Sequence, residues 1–176
     1  KDYPIGPRDK LQIVIHGFDA LSGDYRVNSN GEADLPWVGK VSVNGLTTTD
    51  ASDVLSRRYA DGYLVDPHIT VTVVEYLSQP IEVYGAVAKP GLYYLEGAST
   101  VREILGEAGW IQVEKSNGQI IVQRGDESMM TLMVEDLLSG RGNIDLRAND
   151  VITLPEGQFI YVDGEVEKPG AILFAD

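Results

Sequence analysis

Residues 81–95 read IEVYGAVAKPGLYYL, and residues 159–174 read FIYVDGEVEKPGAILF. The two stretches align without a gap, 79 positions apart (85 to 164). A repeat at this distance indicates one small domain per copy, because solenoid repeats are usually about 20–50 residues long. The identical positions include five around the Lys-Pro-Gly: Gly85 and Gly164, Val87 and Val166, Lys89 and Lys168, Pro90 and Pro169, and Gly91 and Gly170.

Each copy of the repeat predicts a β-hairpin. A run of β-branched and aromatic residues leads into Lys-Pro-Gly, and a second apolar run follows it. Proline fixes φ at the first corner of a turn and glycine permits a positive φ at the second, so each Lys-Pro-Gly predicts a type II turn. One such tripeptide occurs readily by chance in a β-rich protein. Two copies with five shared positions argue against chance.

The composition predicts a folded, acidic protein. A chain of 176 residues with 43% hydrophobic residues is long enough for two small domains with packed cores. The formal net charge of −13 argues against binding to nucleic acid or to an anionic membrane surface, since both require clustered cations. Solubility alone is a sufficient explanation of this charge.

Several classes of site are excluded by residues that the sequence lacks. There are no cysteines, so this sequence contains no disulfide, zinc-thiolate site or thiol nucleophile. There is also no run of about 18 apolar residues and no charged-then-apolar start, so we expect neither a membrane span nor a signal peptide within it. We expect the start at Lys1 to be that of a mature or trimmed chain.

Hydrophobic periodicity predicts about five strands and one helix in residues 1–76. Apolar residues alternate over residues 10–15 and again over residues 69–74, as in half-buried strands. Between them the period changes, which predicts an amphipathic helix over residues 49–59 that begins near a run of threonines. The helical spacing is carried by Ala51, Val54, Leu55, Arg58 and Tyr59.

Residues 80–156 predict a β-grasp domain, in which one helix packs across a small mixed sheet. Thr100 and Glu103 form a capping-box pattern at a helix start, and Gly109 suits the helix end. Strands are predicted over residues 119–123 and 128–134, with one helical turn after them. Residues 144–154 resemble residues 5–13, with Asp150 in the position of Asp9. The fold class is therefore predicted to be α+β.

The first part of the chain contains a series of short motifs in a fixed order. They are Tyr3-x-Ile5-Gly6-Pro7-x-Asp9-x-Leu11-x-Ile13, Leu21-Ser22-Gly23-x-Tyr25-x-Val27, Leu35-Pro36-x-Val38-Gly39-x-Val41, Gly45-Leu46-Thr47 and Asp66-Pro67-x-Ile69-x-Val71. These motifs resemble the export domain of the Wza-type family of bacterial outer-membrane polysaccharide export proteins, and the two Lys-Pro-Gly hairpins are similar to the start of that family's soluble-ligand-binding β-grasp (SLBB) domains. The resemblance implies an export domain over residues 1–77, an SLBB domain over 78–156, and the start of a second, truncated SLBB domain over 157–176.

Three departures from the family pattern concern turns. Arg8 stands where the family usually has glycine, Thr48-Thr49-Asp50 replaces Pro-Glu-Glu, and Trp110 replaces a second glycine after Gly109. The second SLBB copy also stops early, and one hairpin alone does not make a stable domain. We favour truncation of the sequence at that point. Exchange of these strands between subunits is the alternative.

Nothing in the sequence predicts an enzyme, a cofactor or a metal site. His16 and His68 lie 52 positions apart without ligand-like spacing, and no serine has the surroundings of a nucleophile. No glycine-rich phosphate loop joins a strand to a helix. We interpret the carboxylate pairs as solvated; they are Asp24 with Glu32 and Asp163 with Glu165.

Aromatic side chains are the candidates for glycan contact. Sugar rings stack on aromatic faces, and their hydroxyls hydrogen-bond to polar groups. The alternative for each such residue is an ordinary place in a core or an interface. The candidates are Trp37, Tyr84, Tyr93, Tyr94 and Trp110.

The resemblance implies a passive role in polysaccharide export. It implies a periplasmic, outer-membrane-associated homo-oligomeric ring around a hydrated lumen, through which the polysaccharide passes. An inner-membrane polysaccharide co-polymerase is the implied partner, and membrane contact would come only from segments outside this sequence. Two alternatives stay open: a β-grasp module that binds a glycan or small ligand without forming a pore, and an inner-membrane-associated adaptor that scaffolds a co-polymerase.

Overall fold

The structure of the protein, a computed structural model, describes residues 3–125, 128–162 and 170–174. The chain divides into two compact units. The first unit comprises Lys1–Gln79 with Tyr94–Ala98, and the second comprises Pro80–Tyr93 with Ser99–Asp176. Helices and mixed sheets occur together, which confirms the predicted α+β class. The domain limits after residues 77 and 156 stay predictions.

The first unit consists of a three-stranded sheet, a hairpin and one α-helix. The sheet has the antiparallel order β2-β1-β5, and β3 pairs with β4 in the hairpin. The five strands and the helix agree with the prediction for this part of the chain. The elements are β1 (Lys10–Ile15), β2 (Gly23–Arg26), β3 (Glu32–Leu35), β4 (Gly39–Ser42), α1 (Thr48–Ala60) and β5 (Ile69–Glu75), with a 3-10 turn at Asp19–Leu21.

The core of the first unit lies where the alternation and the helical period predict it. Leu11, Ile13 and Ile15 on β1 are fully buried. Helix α1 begins at the N-cap Thr47, whose hydroxyl accepts the Asp50 backbone N–H at 3.1 Å. The start of α1 is therefore capped, although Thr48-Thr49-Asp50 replaces the family's usual Pro-Glu-Glu there. The buried face of α1 carries Ala51, Leu55 and Tyr59.

The second unit contains a five-stranded mixed sheet in the order β7-β6-β10-β8-β9. Strands β6 and β10 are parallel, whereas β10 with β8 and β8 with β9 are antiparallel. A separate antiparallel pair, β11 with β12, corresponds to the predicted second hairpin. The elements are β6 (Pro80–Gly85), β7 (Gly91–Tyr94), α2 (Val101–Glu107), β8 (Gln119–Arg124), β9 (Ser128–Met133), α3 (Val134–Leu138), β10 (Asp150–Leu154), β11 (Gln158–Val162) and β12 (Gly170–Phe174).

Helix α2 has the predicted ends and the predicted buried stripe. The Glu103 carboxylate accepts the Thr100 backbone N–H at 2.8 Å at the start of the helix. Gly109 follows the helix with a φ of 76°, the left-handed conformation that favours glycine at this place. The buried stripe consists of Val101, Ile104, Leu105 and Ala108.

The prediction of a type II turn at Lys89-Pro90-Gly91 is wrong. Gly91 has a φ of 158°, which is close to extended and far from the value of about +80° that a type II turn requires. The connection between β6 and β7 is bonded instead to the end of α2. The Lys89 N–H donates to the Ala108 carbonyl at 2.8 Å, and the Ala88 N–H donates to the Trp110 carbonyl at 3.1 Å. These hydrogen bonds attach the connection to the end of α2, and no tight turn forms at Gly91.

The second Lys-Pro-Gly is described only in part. Lys168 and Pro169 lie outside the described residues, and so does the type II turn predicted there. Gly170 is the first residue of β12.

Gly85, the glycine of the first copy, lies where two strands approach each other closely. Gly85 has a φ of 87°, and a Cβ added there would lie 1.9 Å from the carbonyl oxygen of Leu154 on β10. That carbonyl accepts the Ala86 N–H at 2.9 Å. Only glycine allows this approach between the parallel strands β6 and β10.

Replacement of Gly85 should therefore destabilise the second unit. We expect Gly85→Ala to lower its free energy of unfolding by more than about 3 kcal/mol, because backbone must move in addition to the strain of a positive φ. Urea unfolding measures this loss. Gly118→Ala is the matched control, since Gly118 has a φ of 88° and nothing lies within 4 Å of its added Cβ. The control should lose only about 1–2 kcal/mol, and equal losses for both variants would contradict the close-approach explanation.

Candidate functional site

A buried carboxylate, Asp9, organises the N-terminal motif. Its side chain is fully buried and accepts hydrogen bonds from five donor groups. The donors come from two distant parts of the first unit. They are the Tyr3 hydroxyl at 2.8 Å, the Gly6 N–H at 2.9 Å, the Leu77 N–H at 2.7 Å, the Ser78 N–H at 2.8 Å and the Ser78 hydroxyl at 3.0 Å.

The donors to Asp9 are neutral, so the site is held by hydrogen bonds rather than by an ion pair. A buried carboxylate is tolerable when such donors replace its lost water. Burial raises the pKa of Tyr3 far above that of free tyrosine, and the Asp9 carboxylate raises it further. Tyr3 therefore stays protonated and donates. The site has a structural character, because it joins the N-terminal segment to the chain just after β5.

Loss of the Asp9 charge should destabilise the first unit. Asp9→Asn keeps the shape but turns one acceptor into an NH2 group that faces donors. We expect a loss of about 2–4 kcal/mol in the free energy of unfolding, measured by urea denaturation. Asp34→Asn, on an exposed position of β3, is the control and should change stability by less than about 0.5 kcal/mol. An unchanged midpoint for Asp9→Asn would show that the buried bonds do not carry this stability.

Asp150 in the second unit repeats the local geometry of Asp9. Asp150 is fully buried, and the Arg147 N–H donates to its carboxylate at 2.8 Å, as the Gly6 N–H does to Asp9. The predicted correspondence between these two segments is therefore present. Asp150 differs in its remaining partner, since Arg124 forms a two-pronged ion pair with it at 2.9 and 2.6 Å. The hydrogen bond to Asp150 raises the pKa of Arg124.

The residue before each buried aspartate has a positive φ. Arg8 has a φ of 76° and Asn149 a φ of 67°. This explains why the family usually has glycine at the position of Arg8, since glycine adopts this conformation without strain. Trp110, the other departure from a usual glycine, also has a positive φ of 76°. Arg8 and Trp110 thus keep the backbone conformation of the glycines that they replace, with the strain of a positive φ.

Removal of Arg124 should leave Asp150 buried without its counter-charge. We expect Arg124→Met to lower the free energy of unfolding of the second unit by about 3 kcal/mol or more. Arg141→Met is the control, because the ion pair of Arg141 with Asp136 is exposed and should contribute at most about 1 kcal/mol. Thermal or urea unfolding of the two variants distinguishes them. Similar small losses in both would contradict a buried, required ion pair.

The two histidines lie together, which their sequence separation did not indicate. The backbone N–H of His16 donates to the backbone carbonyl of His68 at 3.0 Å, because β1 pairs with β5 at this end of the sheet. The two residues line an open pocket of about 510 Å³ beside α1. The pocket is also lined by Asp53, Ser56, Pro67, Ile69 and Thr70. Among the described residues no group of three or more His, Cys, Asp or Glu is placed to hold a metal ion.

The carboxylate pairs proposed as solvated side chains do not form catalytic dyads where they are described. Asp24 forms an ion pair with Lys10 at 2.9 Å, whereas Glu32 accepts a hydrogen bond from the Asn28 amide at 3.1 Å. Asp163 and Glu165 lie outside the described residues.

The five aromatic candidates do not form one cluster. Trp37 belongs to the first unit, on the connection between β3 and β4, and is 59% exposed. Tyr84 lies on β6, is 48% exposed, and donates its hydroxyl to Glu82. Tyr93 on β7 is half-buried and donates to the Lys89 carbonyl at 2.6 Å.

The other two candidates are less accessible. Tyr94 ends β7 and is half-buried. Trp110 is half-buried, and the Arg102 guanidinium lies 5.9 Å from its ring centroid, over the ring. This cation–π contact occupies one of the two ring faces on which a sugar could stack. Whether any of the five contacts a glycan stays a prediction.

Comparison with known families now identifies both units. Residues 1–74 match the family described as polysaccharide biosynthesis/export protein, and residues 80–132 match the SLBB domain. The chain belongs to the polysaccharide export family. The resemblance inferred from the motifs and the repeat is thereby confirmed. In the part of the chain that the structure describes, no helix is both long and apolar enough to cross a membrane.

Relatives of known name extend along nearly the whole chain. The EPS I polysaccharide export outer membrane protein EpsA of Ralstonia nicotianae is 33% identical over 179 residues, which cover 97% of this chain and 46% of EpsA. The polysialic acid transport protein KpsD of Escherichia coli is 27% identical over 171 residues, 94% of this chain and 30% of KpsD. The exopolysaccharide production protein ExoF of Rhizobium meliloti is 25% identical over 174 residues, 88% of this chain and 41% of ExoF. The chain thus spans less than half of each relative.

Proposed function

We propose that the protein is a non-enzymatic subunit of an outer-membrane conduit for capsular or extracellular polysaccharide, and that this part of it lies in the periplasm. The observation that carries the proposal is the order of the two family matches along one chain, together with relatives whose names describe polysaccharide export, transport and production.

The physical character of the chain supports a passive role. The residues that carry the most elaborate buried bonding, Asp9 and Asp150, are fully occupied in holding their units together. A net charge of −13 also suits a wall that does not hold a passing glycan tightly, since an acidic, hydrated surface repels polyanions and wets neutral chains.

The proposed mechanism is a ring of identical subunits around a hydrated lumen. Closed rings are built by a repeated contact between two different surfaces of the subunit. An inner-membrane polysaccharide co-polymerase is proposed to deliver the chain and to supply the energy and the gating. Contact with the membrane is proposed to come from segments outside this sequence.

The mass of the protein in solution tests the ring. Light scattering after size-exclusion chromatography should be measured over a range of concentrations, on this chain and on a version that extends past Asp176. We expect a discrete multimer that forms or becomes tighter in the longer version, as it would if the pair β11 and β12 takes part in the subunit contact. A strict monomer in both versions would contradict the ring and favour the pore-free ligand-binding module.

The test needs a control for misfolding. The Asp9→Asn variant of the longer version should have a less stable first unit and a weaker multimer, whereas Asp34→Asn should keep the stability and the assembly of the parent. Circular dichroism recorded on the same fractions separates loss of fold from loss of assembly.

A further inference from the structure

Trp37 is held in a strained conformation at an exposed position. Leu35 pairs with Gly39, so Pro36, Trp37 and Val38 form the whole connection of the β3–β4 hairpin. The Val38 N–H donates to the Pro36 carbonyl at 2.8 Å, which closes a γ-turn around Trp37. Trp37 has a φ of 68°, and the positive-φ form of this turn is rare and strained.

Buried residues of the first unit hold this three-residue connection in place. Leu35 and Val38 on either side of the exposed tip are buried. The Pro36 carbonyl also accepts the hydroxyl of Tyr59 at 2.9 Å, and Tyr59 is a fully buried residue of α1. Strain of this kind persists only where the surroundings enforce it, and it concentrates at functional sites. The chain therefore keeps a bulky aromatic side chain in solvent, on a fixed support, in a conformation that glycine would adopt without strain.

Polar side chains flank the aromatic tip. Asp34 and Lys40 lie opposite each other on β3 and β4 and are both exposed. Within the described part of the chain, neither side chain has a hydrogen-bond or ion-pair partner. Ser42, two residues further along β4, is also exposed. An aromatic face beside free carboxylate, ammonium and hydroxyl groups is the combination that recognises a sugar ring and its hydroxyls.

Trp37 is also distinguished from the other aromatic candidates. The hydroxyls of Tyr84 and Tyr93 are engaged with Glu82 and Lys89, and Arg102 occupies one face of the ring of Trp110. Trp37 is the most exposed of the five and, among the described residues, has no cation over its ring.

We propose that the Trp37 tip, defined as residues 34–40, is a stacking site for a neutral glycan. A pyranose ring lies on the indole face, and its hydroxyls hydrogen-bond to Asp34 and Lys40. The glycan is neutral because a protein of net charge −13 repels a polyanion. The inference rests on the proposed function for the choice of a polysaccharide as ligand.

Fluorescence of Trp37 tests the site directly. The chain has two tryptophans, so Trp110→Phe leaves Trp37 as the sole reporter. This variant is titrated with maltohexaose and cellohexaose as neutral probes and with a sialic acid hexamer as the acidic probe, all at about 0.15 M salt. We expect a saturable change in Trp37 emission with at least one neutral probe and none with the acidic one.

Substitution of Trp37 separates a binding role from a structural one. Binding to Trp37→Gly and Trp37→Phe is measured by calorimetry with the same probes. We expect Trp37→Gly to weaken binding by about tenfold or more and Trp37→Phe to retain most of it, because Phe keeps an aromatic face. Trp37→Gly should also raise the melting temperature by about 2–4 °C, since glycine relieves the positive φ. A purely structural tryptophan would give the opposite shift.

Three outcomes overturn the inference. They are the absence of an emission change with every probe, a saturable response to the acidic probe, and unchanged binding by Trp37→Gly. A multimer that forms in the parent chain and is lost in Trp37→Gly, without sugar binding, would assign the tip to a subunit contact instead. If the parent chain binds neutral sugar through Trp37 but is a monomer at every concentration, this result contradicts the proposed conduit and supports the proposed stacking site.

Discussion

The buried Asp9 carboxylate is the interaction on which the first unit depends. A charge removed from water is tolerable only when donors surround it, and here they come from residues 3–6 at one end of the unit and residues 77–78 at the other. The carboxylate thereby connects the N-terminal segment to the chain that follows β5. The strands β1 and β5 run between these ends and are neighbours in the sheet, so the same bonds lie at the end of this strand pair.

The second unit meets the same requirement with a different partner. Asp150 begins its strand after the same kind of turn, with a positive φ at the residue before it, but its remaining acceptor capacity is taken by Arg124. A second constraint, the approach of Gly85 to the Leu154 carbonyl, sets the distance between the parallel strands β6 and β10.

Because the buried carboxylates have a structural role, functional contacts are expected at the surface. The charged groups with the most buried bonds are structural, whereas the tip at Trp37 is exposed, strained and anchored by Tyr59. This division agrees with the proposed role in a polysaccharide conduit. At the proposed stacking site, one aromatic face with polar neighbours would give a glycan in transit a weak contact.

Local chemistry explains what the sequence alone determined. Periodicity and capping residues predicted the five strands of the first unit, both long helices and their ends, and the paired motifs around Asp9 and Asp150, because each depends on neighbours along the chain. The tertiary structure decided what depends on distant partners. The end of α2 holds the Lys89 connection open, the pairing of β1 with β5 brings His16 to His68, and Tyr59 supports the strained turn at Trp37. No local pattern specifies these contacts, since packing brings together residues that are far apart in the chain.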